Sequence, residues 1–456
     1  MSFFEYKGQD ASTLVTNAVA LSAYANGTYS SVYEAGDTSI VISTDQVVGG
    51  WTILSPDVLG YSGTVDENGT YYGETNEFKD AQAEVFAQYD ENGRVISVAL
   101  AIHGTDEFGD VFDYLEFLKS EPEYVEKAFE DLLASLKDFM IANDLTAEDL
   151  IVTGHSLGGG AVTNMAERSD EFLDGFFVDA NYVGFASHYT PDEGDSVLDS
   201  GAEIFSVDFE NDPVPSGIAD GTIHPFGNDT DYDYATSNLV FYNEYYGTPL
   251  YWDGGNIYSP FAWDSHSSAN YAKAVDVISS SIFYVEMERD SLVIVSGLDE
   301  DDADDRWVED EFIPLDNTGH LGDDAFILGS DAGDWLRGNR GDDSIEGFDG
   351  NDHITAGRGD DRICDGAGKD ELTGGAGNDI FILVADGQKD TITDFTVGED
   401  KIDLSYAGVT SFDELELDDG GWFDDFEIAY YDDVIVLEEG WFDGYNDLSA
   451  NDFIFA

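Results

Sequence analysis

The chain has 456 residues, 42% of them hydrophobic. That is enough for two or three domains with sizeable cores, and too apolar for a disordered chain. The charge is extreme, with 98 Asp+Glu against 17 Lys+Arg and a formal net of -81, which excludes nucleic acid and anionic membrane surfaces as partners and favours cations.

The acid is spread along the chain: residues 1–290 carry a net of -43 and residues 291–456 a net of -38. Calcium sites would neutralise part of the second block. The first suits a salty environment, where salt screens self-repulsion. The single cysteine, Cys364, allows no intrachain disulfide. The start, Met1-Ser2-Phe3-Phe4-Glu5, lacks the basic and apolar regions of a cleaved signal peptide. No apolar run reaches the length of about 18 residues that a membrane-spanning helix needs, so no stable membrane insertion is expected.

In chain order, Val95 to His103 (VISVALAIH) is a buried-strand candidate. Pro122 to Asn143 is expected to be a helix, since Val125, Phe129, Leu132, Leu136 and Phe139 recur at steps of three and four. Leu150 to Thr153 is a short apolar strand running into Gly154, and Tyr182 to Ala186 and Ile204 to Phe209 are further strands. Strands alternating with helices predict an α/β domain with a mostly parallel sheet. We place this domain at 1–298, an acidic linker at 299–317 (Asp299-Glu300-Asp301-Asp302 at its start), and a second domain at 318–456.

The second domain opens with a nine-residue repeat. Six units begin at residues 329, 338, 347, 356, 365 and 374, a degenerate one preceding them around Gly322. The sixth position is always Asp: Asp334, Asp343, Asp352, Asp361, Asp370 and Asp379. The eighth is always apolar: Leu336, Ile345, Ile354, Ile363, Leu372 and Phe381. This is the GGxGxDxUx pattern of RTX proteins, a parallel β-roll that binds calcium. The glycine half makes a tight turn, the Asp supplies a hard anionic oxygen, and the apolar residue points into a thin core. Two units make one coil, so folding should depend on the ion. Two units depart from the pattern, with Ala332 at the fourth position of one and Lys369 beside Asp370 in another. Those turns are expected to bind more weakly or not at all. Beyond the repeats, Asp390 to Ser405 reads as a capping strand region.

Gly154-His155-Ser156-Leu157-Gly158 matches G-x-S-x-G between an apolar strand and a helix-compatible stretch, Gly159 to Glu167. In that context Ser156 reads as a nucleophile at a tight elbow. A base must follow. Of the seven histidines, His188, His224 and His266 lie between Ser156 and the repeats. His266 sits in a polar turn before a helical stretch from Tyr271 to Ile282, with His224 as its competitor. The orienting acid should end a strand between nucleophile and base. Asp212 follows the strand at 204–209, and Asp208 within it is the fallback. Two backbone N–H groups should hold the oxyanion. The expected donors are Leu157 and Thr105, the latter after the strand that ends at His103.

These features together resemble the bacterial true lipases that carry C-terminal RTX repeats and leave through the type I pathway. The resemblance rests on Trp51 to Gly73, the His103-Gly104-Thr105 loop, GHSLGG at 154–159, ENDPV at 210–214, Ser265-His266, FYVEMERDS at 283–291 and the repeats. It implies an α/β-hydrolase domain followed by a β-roll, the triad Ser156, Asp212 and His266, calcium as cofactor, a lipid or small ester as substrate, and the type I secretion apparatus as partner. The terminal Asp452-Phe453-Ile454-Phe455-Ala456 resembles that pathway's uncleaved signal. The family's oxyanion motif is usually Arg-Gly-Thr, so His103 departs from it and the arginine's supporting contacts are expected to be lost. Two long lids of the family have only short counterparts here, Tyr24 to Gly50 and Asp106 to Ser120. A reduced or absent lid implies weak interfacial activation and shorter esters. The region of the family's calcium site in the catalytic domain, Asn228 to Asp233 with Asn238, has an altered ligand pattern. The alternatives are a phospholipase or polyester hydrolase with the same triad, and a non-catalytic calcium-binding surface protein.

Overall fold

The structure, a computed structural model, describes residues 2–26, 50–73, 81–104, 123–187, 196–210, 212, 214–215, 235–236, 238–242, 266–297, 320, 322–338, 340–418, 426–438 and 448–456. It divides into two compact units. One holds Met1–Ser237, Gly254–Ser279 and Glu288–Asp290, and the other Asn238–Asp253, Ser280–Met287 and Ser291–Ala456.

The first unit is built on a twisted sheet in which β1 (Trp51–Ile53), β2 (Gln82–Tyr89), β3 (Val95–Ile102), β4 (Leu150–His155), β5 (Asn181–Phe185) and β6 (Ile204–Val207) lie side by side in chain order. The first three are antiparallel, and β3 to β6 run parallel. Parallel neighbours need crossover connections, and α3 (Leu157–Glu167) fills the one between β4 and β5. Successive side chains of a strand point to opposite faces. Leu150 and Val152 share a core with Leu132, Leu136 and Met140 of α2 (Glu130–Ala142) and with Val162 and Met165 of α3. Thr153, between them in phase, donates from Oγ1 to the Ala18 carbonyl of α1 (Ser12–Ala25) at 3.1 Å. Helices therefore cover both faces.

The helix expected over 122–143 is broken. A short helix, Tyr124–Ala128, precedes α2, and the two are separated because Phe129 takes φ -130° and leaves the helical region. The strand expected to run to Phe209 ends at Val207, and the helix expected from Tyr271 begins earlier, as α4 (Ser268–Ser280).

The second unit is a coil of parallel strands in two facing sheets. One sheet runs β7 (Leu239–Tyr242), β8 (Leu292–Ser296), β9 (Ala325–Leu328), β11 (Ser344–Glu346), β13 (Arg362–Cys364), β15 (Ile380–Ile382), β17 (Lys401–Asp403) and β21 (Phe453–Ile454), all parallel. The other runs β10 (Trp335–Arg337), β12 (His353–Arg358), β14 (Glu371–Ala376) and β16 (Lys389–Ile392). It is closed by β20 (Asp433–Leu437), β19 (Phe426–Tyr430) and β18 (Glu416–Asp418), with β19 antiparallel to both of its neighbours. Repeat units alternate between the sheets, so equivalent residues stack 18 apart, as Trp335 beside His353 and Ser344 beside Arg362. The eighth-position residues Leu336, Ile354 and Leu372 face Ile345, Ile363 and Phe381 in one fully buried core. Each such side chain contributes about 1.5–3 kcal/mol of burial.

The expected boundary at 298 falls inside this arrangement. Residues 238–242 and 291–296, expected in the first domain, extend the roll by two strands, β8 pairing with β9 and β7 pairing with β8. They are apolar β-formers without the repeat motif, so the repeat does not mark them. The proposed linker, 299–317, lies outside the described residues, as do both short lid counterparts over 27–49 and 106–120 and the segment 228–233.

Candidate active site and metal sites

Strand β4 delivers Ser156 to a turn so tight that its φ is +59° and ψ -121°. A non-glycine residue there is strained. Its neighbours show why they must be small. A Cβ on Gly154 would lie 2.5 Å from the Gly158 carbonyl oxygen, and one on Gly158 would lie 2.2 Å from the Ile102 carbonyl oxygen. Helix α3 starts directly after Ser156. Its first N–H, on Leu157, belongs to the group that a helix leaves outside its own ladder.

The structure brings Ser156, His266 and Asp212 together. Ser156 Oγ is 2.9 Å from His266 Nε2, and His266 Nδ1 is 3.0 Å from both carboxylate oxygens of Asp212. A carboxylate only accepts, so Nδ1 carries the proton and Nε2 accepts from the serine hydroxyl. Asp212 is fully buried, and Ser156 and His266 are nearly so. The Asp212 carboxylate also accepts from Val214 N–H at 2.8 Å and from the Tyr271 hydroxyl at 2.7 Å. Tyr271, on α4 and fully buried, accepts in turn from Phe209 N–H at 3.0 Å. Burial, then the charges of Asp212 and Asp208, push its phenol well above the usual range.

Asp208, the fallback acid, has another role. Its Oδ1 accepts from Ser187 N–H at 3.1 Å, and its backbone N–H donates to Thr236 Oγ1 at 2.9 Å. Burial, aided by the charge of Asp212, pushes its carboxyl up to about 7. The other candidate bases, His188 and His224, and the expected donor Thr105 lie outside the described residues. Just before Thr105, Gly104 N–H donates to Asn26 Oδ1 at 2.8 Å, and a Cβ on Gly104 would lie 2.6 Å from the His155 carbonyl oxygen. Gly104, just beyond the end of β3, thus lies against the elbow.

Sequence reasoning missed three supports here. Tyr271 has no motif. His103 was read as a loss of contacts, yet its Nε2 meets Glu84 at 2.5 Å, and Glu84 also accepts from Thr70 Oγ1 at 2.8 Å. His155, whose ring centroid is 4.8 Å from that of His266, is pushed well below the usual imidazole range by burial.

Along the roll the sixth-position aspartates stack. Asp334 N–H donates to Asp352 Oδ1, Asp343 to Asp361, Asp352 to Asp370, and Asp361 to Asp379, at 2.7–3.0 Å. All six are buried. The second carboxylate oxygens of Asp352, Asp361 and Asp370 are buried without a hydrogen-bond partner. Burial, with the charges of neighbouring aspartates, pushes Asp352 up to about 9 and Asp361 up to about 8. Stacked, desolvated carboxylates with unused oxygens are the donor set a hard cation takes, so these residues fit calcium.

Comparison with known proteins agrees. Residues 328–363 and 365–392 match the RTX calcium-binding nonapeptide repeat, in four copies; these repeats bind calcium. Two lipases of Pseudomonas fluorescens are similar to this chain. One is 35% identical over 305 residues, covering 62% of this chain and 60% of that protein, and the other is 32% identical over 301 residues, covering 61% and 63%. The matched region thus spans under two thirds of either relative. Among solved structures, the extracellular lipase LipA from Serratia marcescens superposes over 100% of both chains with a TM-score of 0.65 at 23% identity. The fold is the expected one, an α/β-hydrolase domain and a parallel β-roll.

Proposed function

We propose, from its kinship with bacterial lipases that carry RTX repeats, that this chain is a secreted, calcium-dependent serine hydrolase of carboxylic esters. The observation that carries the reading is the buried relay from Asp212 through His266 to a serine hydroxyl on a strained elbow. Ser156 Oγ attacks the acyl carbon while His266 Nε2 takes its proton. Asp212 holds the imidazole in the required tautomer and stabilises the imidazolium. The Leu157 N–H, with Thr105 as the second donor, holds the oxyanion, a contribution of about 10²–10³ in rate per donor. His266 then protonates the departing alcohol. Water repeats the sequence on the acyl-enzyme and frees the acid.

Catalysis is assigned to the first unit and calcium to the second, where Asp334, Asp343, Asp352, Asp361, Asp370 and Asp379 would hold it. The ion neutralises the stacked carboxylates, so its contribution is to folding. The substrates are glycerides or shorter esters, and the short lid counterparts favour soluble ones. Export through a type I apparatus by a C-terminal signal completes the proposal. Among the described residues no helix is long and apolar enough to cross a membrane.

The test is hydrolysis of p-nitrophenyl esters, triglycerides of graded chain length, phospholipid and polyester by the purified chain beside Ser156→Ala. Ester hydrolysis lost in the variant is expected. Equal activity in both proteins would overturn the enzyme reading, and turnover confined to phospholipid would overturn the lipase assignment.

A further inference from the structure

Among the described residues, the three-carboxylate cluster lies at a repeat that the sequence ranks among the weakest. In the unit 365–373 the first position, Gly or Ala in the other five units, is Asp365. That position looks onto the sixth-position carboxylate. A Cβ on Gly338, Gly347 or Gly374 would fall 2.2–2.3 Å from Oδ2 of Asp343, Asp352 or Asp379 in the same unit. Asp365 therefore places a second carboxylate where the other units leave only backbone. A third comes from Asp390 on β16, whose Oδ1 accepts from Asp370 N–H at 3.0 Å. One oxygen from each of Asp365, Asp370 and Asp390 lies within 4.8 Å of the others.

We propose that Asp365, Asp370 and Asp390 form a three-carboxylate calcium site that binds more tightly than the turns holding only sixth-position aspartates. Two observations beyond the clustering point to a ligand. Asp365 is only 1% exposed; its Oδ1 accepts from Gly366 and Val384 N–H at 2.7 and 3.0 Å, while Oδ2, like Oδ2 of Asp370, is buried with no hydrogen-bond partner. The Tyr430 hydroxyl on β19 is likewise buried without a partner. Its ionisation is opposed by burial and then by the charges of Asp365, Asp433 and Asp390.

Three desolvated carboxylates sharing one space repel strongly unless a multivalent cation joins them. All-oxygen ligation on relaxed turns suits calcium better than magnesium, which demands a small octahedron and keeps its water. Asp365 restores the negative charge that Lys369 offsets in this turn.

The test uses the full chain, loaded with calcium and equilibrated against calcium buffers of falling free concentration, with bound calcium counted by atomic emission. Asp365→Gly restores the consensus residue, so the roll should still fold. It is expected to lose one ion whose affinity drops tenfold or more, and Asp365→Asn should fall between it and the parent. In a terbium titration excited at tyrosine, Tyr430→Phe should keep the ion count and lose the tightest step of sensitised emission. Identical calcium curves for the parent and Asp365→Gly would overturn the proposal. So would an Asp365→Asn protein that keeps parental affinity and gains stability in chelator, because the cluster would then be held by protons. Unchanged terbium emission in Tyr430→Phe would also overturn it.

Discussion

Replacing Tyr271 with phenylalanine keeps the ring and removes one oxygen from beneath the orienting carboxylate. The phenol donates to Asp212 Oδ2 at 2.7 Å and accepts from Phe209 N–H at 3.0 Å, with no exposed surface at either contact. A hydrogen bond to a charged group contributes about 1.5–3 kcal/mol, and a buried N–H left unsatisfied costs about 1–3 kcal/mol. The variant should therefore unfold at lower urea, its first unit destabilised by about 2–4 kcal/mol. With one donor fewer, Asp212 fixes His266 less firmly, and kcat should fall about tenfold, equivalent to about 1.4 kcal/mol of transition-state stabilisation. KM should hold, because Tyr271 is not placed to touch substrate. The assay is urea unfolding beside steady-state hydrolysis of p-nitrophenyl butyrate at saturating calcium. A destabilised variant with parental kcat would show that Tyr271 only supports the fold and would refute the reasoning.

Asp208→Asn should remove a pH-dependent loss of stability. Its folded carboxyl is raised to about 7 from 3.8, so its contribution is fully present below about 4 and is lost as pH rises through 7. The variant should match the parent near pH 4 and exceed it at pH 8 by up to about 4 kcal/mol, measured as melting temperature against pH. Gly158→Ala forces a Cβ to 2.2 Å from the Ile102 carbonyl oxygen. Its elbow must open, and hydrolysis should fall at least 100-fold, read as kcat/KM on a soluble ester. Removing calcium should unfold the second unit at neutral pH, because burial raises Asp352 to about 9 and Asp361 to about 8, and folding without the ion would force these groups to take up protons that the unfolded chain releases. Loss of the β-sheet circular dichroism signal in chelator and its return on adding calcium is the expected result.

The parts of the fold legible in the sequence are those with a period or a tight steric demand. The repeat marks its own core, since every eighth-position residue is fully buried between the two sheets. The G-x-S-x-G elbow is readable because its glycines are required by carbonyls 2.2–2.6 Å from any added Cβ. His266 and Asp212 were reached through chain order and a local turn, with His224 and Asp208 left open, and here the structure separates the two acids. Asp212 meets His266, while Asp208 binds Ser187 and Thr236. What stayed hidden acts across long sequence separations. Tyr271 reaches Asp212 across 59 positions and His103 reaches Glu84 across 19. Strands β7 and β8 join the roll through pairing alone. Asp365 stands in the register as a lone acid at a glycine position, but its meaning depends on Asp390, 25 residues on and beyond the six registered units.

Covalent trapping tests the central claim most directly. The native chain, treated with a fluorophosphonate and digested for mass spectrometry, should carry one adduct, on Ser156, and His266→Ala should slow its formation by at least 1000-fold. An adduct on another residue, or labelling of Ser156 at the parental rate in His266→Ala, would contradict the account.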